Sequence, residues 1–237
     1  RCGAGTSPAD RGDRDCILMR PRHLTVSRTA RYFTLGPDGA PVRELWVVLH
    51  GYAQLAARFL RWFAPLDDGA TVIVAPEALS RFYLETRLDG GHGPAIGATW
   101  LTREDRAAEI ADAGGYLDQL VGMLHEAHHP ERLVVLGFSQ GSTVAARWAL
   151  TSPVAADHLV LWGSPVATDV VLNSLAARRA GRPVTFVAGD TDRHAPAGAL
   201  EEQAAALVRA GTPASVVRFA GGHTVDAAVL RSVAGRD

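Results

Sequence analysis

The feature that most constrains this chain is the length and rhythm of its apolar runs. None approaches the roughly 18 residues a membrane-spanning helix needs. Each is strand-sized, and helical stretches stand between them. Leu45-Trp46-Val47-Val48-Leu49 is a continuous apolar run, as expected of a strand covered on both faces. Thr71 to Ala75, Arg132 to Leu136, His158 to Trp162, Val184 to Ala188 and Ser215 to Phe219 repeat the pattern. Helices are expected around Leu55 to Phe63 (closed by Pro65), from Arg103 to about His128 (capped by Thr102, ended by Pro130), and over Gln140 to Leu150. Further helices should cover Val170 to Ala180 and Ala199 to Ala210, with a closing one from Val225. Leu24 to Leu35 suggests one or two edge strands. Such β-α alternation predicts an α/β fold, a mostly parallel sheet of about seven strands flanked by helices, with chemistry at the carboxyl ends of its strands.

Composition narrows the functions available. The chain has 237 residues, 47% apolar and 21% charged, with a formal net charge of −1. That balance offers no long-range attraction to nucleic acid or an anionic membrane. Neither nucleic acid nor stable membrane insertion is expected; the expected partner is a small-molecule substrate, and oligomeric state is left open. All 24 basic residues are arginine, which removes Schiff-base chemistry and any phosphate loop that requires a lysine. No Cys–His cluster has zinc spacing, and no metal or organic cofactor is implied. Cys2 and Cys16 fall within Arg1 to Arg22, a Gly-, Asp- and Arg-rich stretch that reads as a mobile tail preceding a single domain over 23–237. Their bonding is left open, and a cytoplasmic address is favoured, with export as the alternative if the start is processed.

Gly137-Phe138-Ser139-Gln140-Gly141 fits G-x-S-x-G and lies between a buried strand and a helix. From composition alone, about 0.1 chance matches are expected. Its spacing is mechanical: a serine on a sharp strand-to-helix turn needs small residues two positions to either side. A serine hydroxyl is a weak nucleophile and needs a base held by a carboxylate. The strand ending at Ala188 runs into Gly189-Asp190-Thr191-Asp192, and the strand ending at Phe219 into Gly221-Gly222-His223. The chain order Ser139, Asp192, His223 is the order this architecture requires. Asp190 is the competing carboxylate. For the oxyanion, two backbone N–H groups are expected, from Gln140 and from Tyr52 in the His50-Gly51-Tyr52 turn. His50 itself is expected to be structural, fixing that turn.

Leu49-His50-Gly51, the Phe-Ser-Gln elbow, Gly189-x-x-Asp192 with Pro196, and Gly222-His223 together resemble the phospholipase/carboxylesterase group of α/β-hydrolases. That group includes acyl-protein thioesterases and small bacterial carboxylesterases. The resemblance covers roughly residues 24 to 233. It implies an α/β-hydrolase fold without a separate cap domain, and it selects Asp192 over Asp190 as the acid, four residues before a proline. Tyr52-Ala53-Gln54 departs from the group's usual small turn with its glycine and acid, a departure that bears on substrate preference.

The long connection 76–103 should cover the cleft, with Phe82, Tyr83, Trp100 and, from elsewhere, Trp162 as an apolar wall. Leu79 and Leu88 belong to the same expectation, and Arg81 and Arg87 are expected to be solvated. The reading is a serine hydrolase of short- to medium-chain carboxylic esters, with lysophospholipids and thioesters as neighbouring substrate classes. The competing readings are a hydrolase-fold protein that binds a small ligand with little turnover, and an acyltransferase.

Overall fold

The computed structural model describes residues 20–39, 41–85 and 91–236. Cys2, Cys16, Arg87, Leu88 and most of the expected N-terminal tail lie outside them. Seven strands form one sheet: β1 (Tyr32–Leu35), β2 (Glu44–Leu49), β3 (Thr71–Pro76), β6 (Arg132–Phe138), β7 (His158–Trp162), β8 (Val184–Gly189) and β9 (Ala214–Phe219). A separate hairpin pairs β4 (Ser80–Tyr83) with β5 (Ile96–Thr99). The sheet order is β1-β3-β2-β6-β7-β8-β9, parallel throughout except for β1, which runs antiparallel along β3 at the edge.

The continuous apolar runs are explained by two-sided burial. Leu45, Val47 and Leu49 of β2 face one core with Leu133 and Val135, while Trp46 and Val48 face the other with Val134 and Leu136. The first core is closed by α2 (Arg106–His128), α3 (Gln140–Thr151), α4 (Leu172–Arg179) and α5 (Ala199–Arg209). The second is closed by α1 (Ala56–Leu60), the 3-10 turn Arg61–Leu66 and α6 (Ala227–Val233). Both faces are apolar because a strand's side chains alternate in direction, so a strand covered on both sides carries hydrophobics at every position.

Of the one or two edge strands expected over Leu24 to Leu35, one forms, since Leu24 and Val26 are exposed and make no ladder. Three other expectations need correction. Pro65 does not close the first helix from outside: α1 tightens into the 3-10 turn and Pro65 sits within it, in geometry its fixed φ tolerates. Thr102 does not cap α2; its hydroxyl donates to Glu109 and to the Glu104 carbonyl, and Asp105 takes the cap position in a left-handed conformation. The connection 76–103 is no plain loop, since it carries the β4–β5 hairpin. Among the described residues, no helix is long and apolar enough to cross a membrane.

Candidate active site

Ser139 stands between β6 and α3 at φ 54° and ψ −117°, a region non-glycine residues rarely occupy. Its N–H donates to the Trp162 carbonyl at 2.8 Å. Ser142, one turn into α3, donates its hydroxyl to the carbonyls of Gly137 and Trp162 at 2.6 and 2.9 Å, which ties the elbow to β7. The motif glycines are required by space. A Cβ on Gly137 would stand 2.2 Å from the Gly141 carbonyl oxygen, and one on Gly141 would stand 2.2 Å from that of Leu49. Helix and strand therefore approach too closely for any side chain at either position.

The loops after β8 and β9 bring the acid and the imidazole together. Gly189 admits this approach, because a Cβ there would meet the Gly221 carbonyl at 2.2 Å. Asp192 is 5% exposed, and its Oδ2 lies 2.8 Å from His223 Nδ1. Its Oδ1 accepts from the His194 N–H at 2.9 Å, so both oxygens are held. Asp190 is exposed, and its backbone serves the sheet edge instead. The His223 ring lies 4.7 Å from the Phe138 ring, directly before Ser139 in the chain, and 4.5 Å from that of His194. Gly163, at positive φ, leaves room for this pair: a Cβ there would stand 3.0 Å from His223 Cε1 and 3.3 Å from Asp192 Oδ2. Trp162 anchors the imidazole loop by donating its indole N–H to the Thr224 carbonyl at 2.8 Å.

On the other side of Ser139 lies the turn after β2. A Cβ on Gly51 would stand 3.2 Å from Ser139 Cβ, so turn and nucleophile are in contact. Within it, the Gly51 N–H goes to Gln54 Oε1, the Gln54 N–H to the Gly51 carbonyl and the Ala53 N–H to the Ala98 carbonyl. Among the described residues, the Tyr52 N–H has no acceptor. The Gln140 N–H opens α3 and so has no intrahelical acceptor. His50 pins the turn as expected: Nδ1 is 2.7 Å from the Gly51 carbonyl, and Nε2 accepts the Ala78 N–H at 3.0 Å. That pattern requires a neutral ring protonated on Nδ1, and burial keeps the pKa of His50 below its ordinary value.

Sequence reasoning missed the residues that join the hairpin to both sets of N–H groups. Residues 53 and 54 pair with Ala98 of β5 through the backbone, and Gly97 allows it, since a Cβ there would stand 2.6 Å from the Ala53 carbonyl. The Gln140 carboxamide accepts from the Trp100 N–H at 2.9 Å and donates to the Leu101 carbonyl at 2.8 Å, with Thr99 alongside. No local pattern marks a glutamine as a clamp; only the fold brings residue 140 to residues 99–101.

Of the expected apolar wall, Phe82 stacks on Tyr52 at 5.4 Å, beside the turn, and Tyr52 is 59% exposed. Tyr83 points to the opposite face of β4 and stacks flat on His92 at 4.4 Å. Trp100 and Trp162 are not cleft walls. They are 4% and 1% exposed, each in a hydrophobic core, and each indole N–H is spent on a backbone carbonyl. Arg81 is not simply solvated, because it pairs with the buried Glu77 at 3.1 Å.

No protein-family model matches the chain, and no curated protein matches it in sequence. Solved structures do match. Esterase PE8 shares 22% identity at a TM-score of 0.64, over 88% of this chain and 97% of its own. The Bacillus cereus carboxylesterase shares 15% at 0.63, over 86% and 91%. Zea mays acyl-protein thioesterase 2 shares 17% at 0.63, over 87% and 97%. These are the kinds of protein the sequence motifs resemble, and at such identities the likeness speaks for architecture. With its seven-stranded, mostly parallel sheet and its serine at the strand-to-helix turn after β6, the chain has the α/β-hydrolase fold.

Proposed function

We propose that this protein is a serine hydrolase acting on carboxylic esters of short to medium chain length, with thioesters and lysophospholipids as the neighbouring substrates. The observation that carries the reading is the strained Ser139 backbone beside a His223 whose Nδ1 is bonded to the buried Asp192. A non-glycine residue at positive φ costs of order 1–3 kcal/mol and persists only where the surroundings enforce it.

In the proposed reaction Asp192 holds His223 in the tautomer protonated on Nδ1, which leaves Nε2 free to take the proton from Ser139 Oγ. The oxygen attacks the ester carbonyl, and the N–H groups of Tyr52 and Gln140 receive the developing oxyanion. His223 gives the proton to the leaving alkoxide, and an acyl-serine remains. A water molecule, deprotonated by His223, then attacks the acyl-serine and releases the acid. Exposed Tyr52, with the half-buried Phe82 ring against it, flanks the turn and offers an apolar surface to the acyl or alcohol part.

Hydrolysis of p-nitrophenyl esters from acetate to palmitate tests the reading, with Ser139→Ala as control. Activity in the wild type that disappears in the variant supports a serine esterase, and the preferred length sizes the acyl site. Equal rates in both proteins would overturn it.

A further inference from the structure

A half-open cavity of about 190 Å³ lies between α2, α3 and the segment that follows β7. Its apolar wall includes Leu101, Ile110, Val144, Trp148 and Val170. An apolar cavity of about 150 Å³ accommodates benzene, so this one takes a six-membered ring with a short substituent, or a short-chain equivalent. The wall is preorganised: Trp148 donates its indole N–H to Asp118 at 2.8 Å, which fixes the ring rather than letting it fill the space.

Gly114 also lines this cavity, in the middle of the 23-residue helix α2. Glycine is the poorest helix former after proline, and it is tolerated in helix interiors where another chain approaches closely. Among the described residues, and apart from the helix's own neighbouring backbone, no atom lies within 4 Å of the position a Cβ would take. Gly115 beside it faces outward. The missing side chain at Gly114 therefore keeps open a space that none of the described residues occupies.

The rim carries the second observation. Arg147 lines the cavity with its side chain only 9% exposed, and its partner Asp169 is 47% exposed. Nε and Nη2 of Arg147 bond the Asp169 carboxylate at 3.2 and 2.5 Å, and Nη1 donates to the Thr143 carbonyl at 3.0 Å. Arg106 stands 3.6 Å from the same carboxylate. Two guanidiniums thus share one carboxylate, and the more exposed member is the one that can swing into solvent. The Arg147 fork is thus occupied by Asp169 in two-point fashion and fixed by the Thr143 carbonyl, so a ligand carboxylate that displaced Asp169 would meet a guanidinium already set for it.

We propose that this cavity is a binding site, separate from the catalytic centre, for a small apolar monocarboxylate. The carboxylate joins or replaces Asp169 on Arg147 and Arg106, and the hydrocarbon body lies against Trp148, Val144 and the open face of Gly114. Ser139, Asp192, His223 and Tyr52 are not among the residues that line the cavity. The site nonetheless borders the catalytic region, since the Leu101 carbonyl holds the Gln140 side chain. It stands independently of the catalytic reading.

Calorimetric titration of the full chain with benzoate, and with benzamide as the neutral isostere, tests the proposal. Benzoate is expected to bind, with benzamide at least tenfold weaker. Gly114→Leu fills the cavity while improving helix propensity, and Arg147→Gln removes the fork. Each is expected to weaken benzoate at least tenfold, with Gly114→Leu retaining its melting temperature and its ester hydrolysis rate. Two results would overturn the proposal: no benzoate binding by the wild type at millimolar concentration, or undiminished binding in Gly114→Leu. The latter places the acid in the catalytic cleft or on surface arginines, whatever Arg147→Gln does.

Discussion

The two ends of the sheet bury polar groups in opposite ways. At the amino-terminal end most buried charges are answered several times, although Arg179 Nε is left without a partner among the described residues. Glu44 receives the Trp46 indole N–H at 3.0 Å, Arg132 at 2.8 Å and Arg236 at 2.9 Å, the last from near the end of the chain. His158 lies between the Arg132 guanidinium and the Thr185 hydroxyl, and Arg179 bonds the carbonyls of Ala156, Asp157 and Pro183. At the carboxyl-terminal end the bonding supports, and the groups of the proposed reaction are left available. Asp192 is fully used, His223 is held on one nitrogen, Ser139 is strained, and two N–H groups have no role in their turns. One end spends most of its polar groups on one another; the other, in the function proposed above, keeps its groups ready for a substrate. The contrast explains why similar residue types at the two ends call for different experiments.

The largest expected effect separates the two ends outright. Ser139→Ala should lower ester turnover by about 10⁴-fold or more, since the triad acts as a unit, with the melting temperature essentially unchanged. Ser139→Gly should be equally inactive yet more stable by about 1–3 kcal/mol, because glycine adopts positive φ without strain. If Ser139→Gly melts no higher than wild type in thermal unfolding, the stored strain is not real.

At the other end the sign reverses. Glu44→Ala should cost about 3–5 kcal/mol in urea unfolding, by leaving Arg132 and Arg236 without their buried partner, with little change in kcat of the folded fraction. Burial raises the Glu44 carboxyl, but the bonds from Trp46, Arg132 and Arg236 outweigh it and hold the group below the usual carboxylate range. That stability is lost as pH falls through the depressed value.

His158 sets a milder acid limit. Burial, then the neighbouring Arg132 and Arg179, pushes its pKa down from 6.5 to about 4. The unfolded chain takes up this proton near pH 6.5 and the folded one resists it, so the contribution is complete above 6.5 and declines as pH drops towards 4. The decline amounts to roughly 3 kcal/mol. Unfolding free energies at pH 7 and pH 4.5 should differ less in His158→Gln than in wild type; an equal difference would assign the acid sensitivity to other groups. The smallest effect is expected from Thr185→Val, which deprives His158 Nε2 of its partner at a cost of about 1 kcal/mol without changing hydrolysis.

What was legible in the sequence follows the range of the forces concerned. The strands could be placed because two-sided burial writes itself into consecutive residues, as in Leu45 to Leu49, and His158–Trp162 forms over the expected residues. The β4–β5 hairpin escaped notice because its burial is partial and its glycines suggest loop. Trp100 and Trp162 were assigned to the cleft because an aromatic near a strand end reads alike whether it faces a ligand or a core. Their indole bonds to the His50 and Thr224 carbonyls settle the matter, and no local pattern encodes them.

By itself the sequence determined the α/β order, the two glycines that let Ser139 stand on its turn, and the succession of serine, acid and imidazole. These are short-range matters of sterics and periodicity, carried by residues within a few positions of one another. Tertiary structure decided how Asp192, which the resemblance selects over Asp190, meets His223, that Gln54 and Gln140 tie the hairpin to the turn and the elbow, and that Gly114 and Arg147 share one cavity. Those are encounters between residues distant in the chain. They depend on where parallel strands deliver their loops and how two helices are spaced, which only the packing of the whole sheet defines.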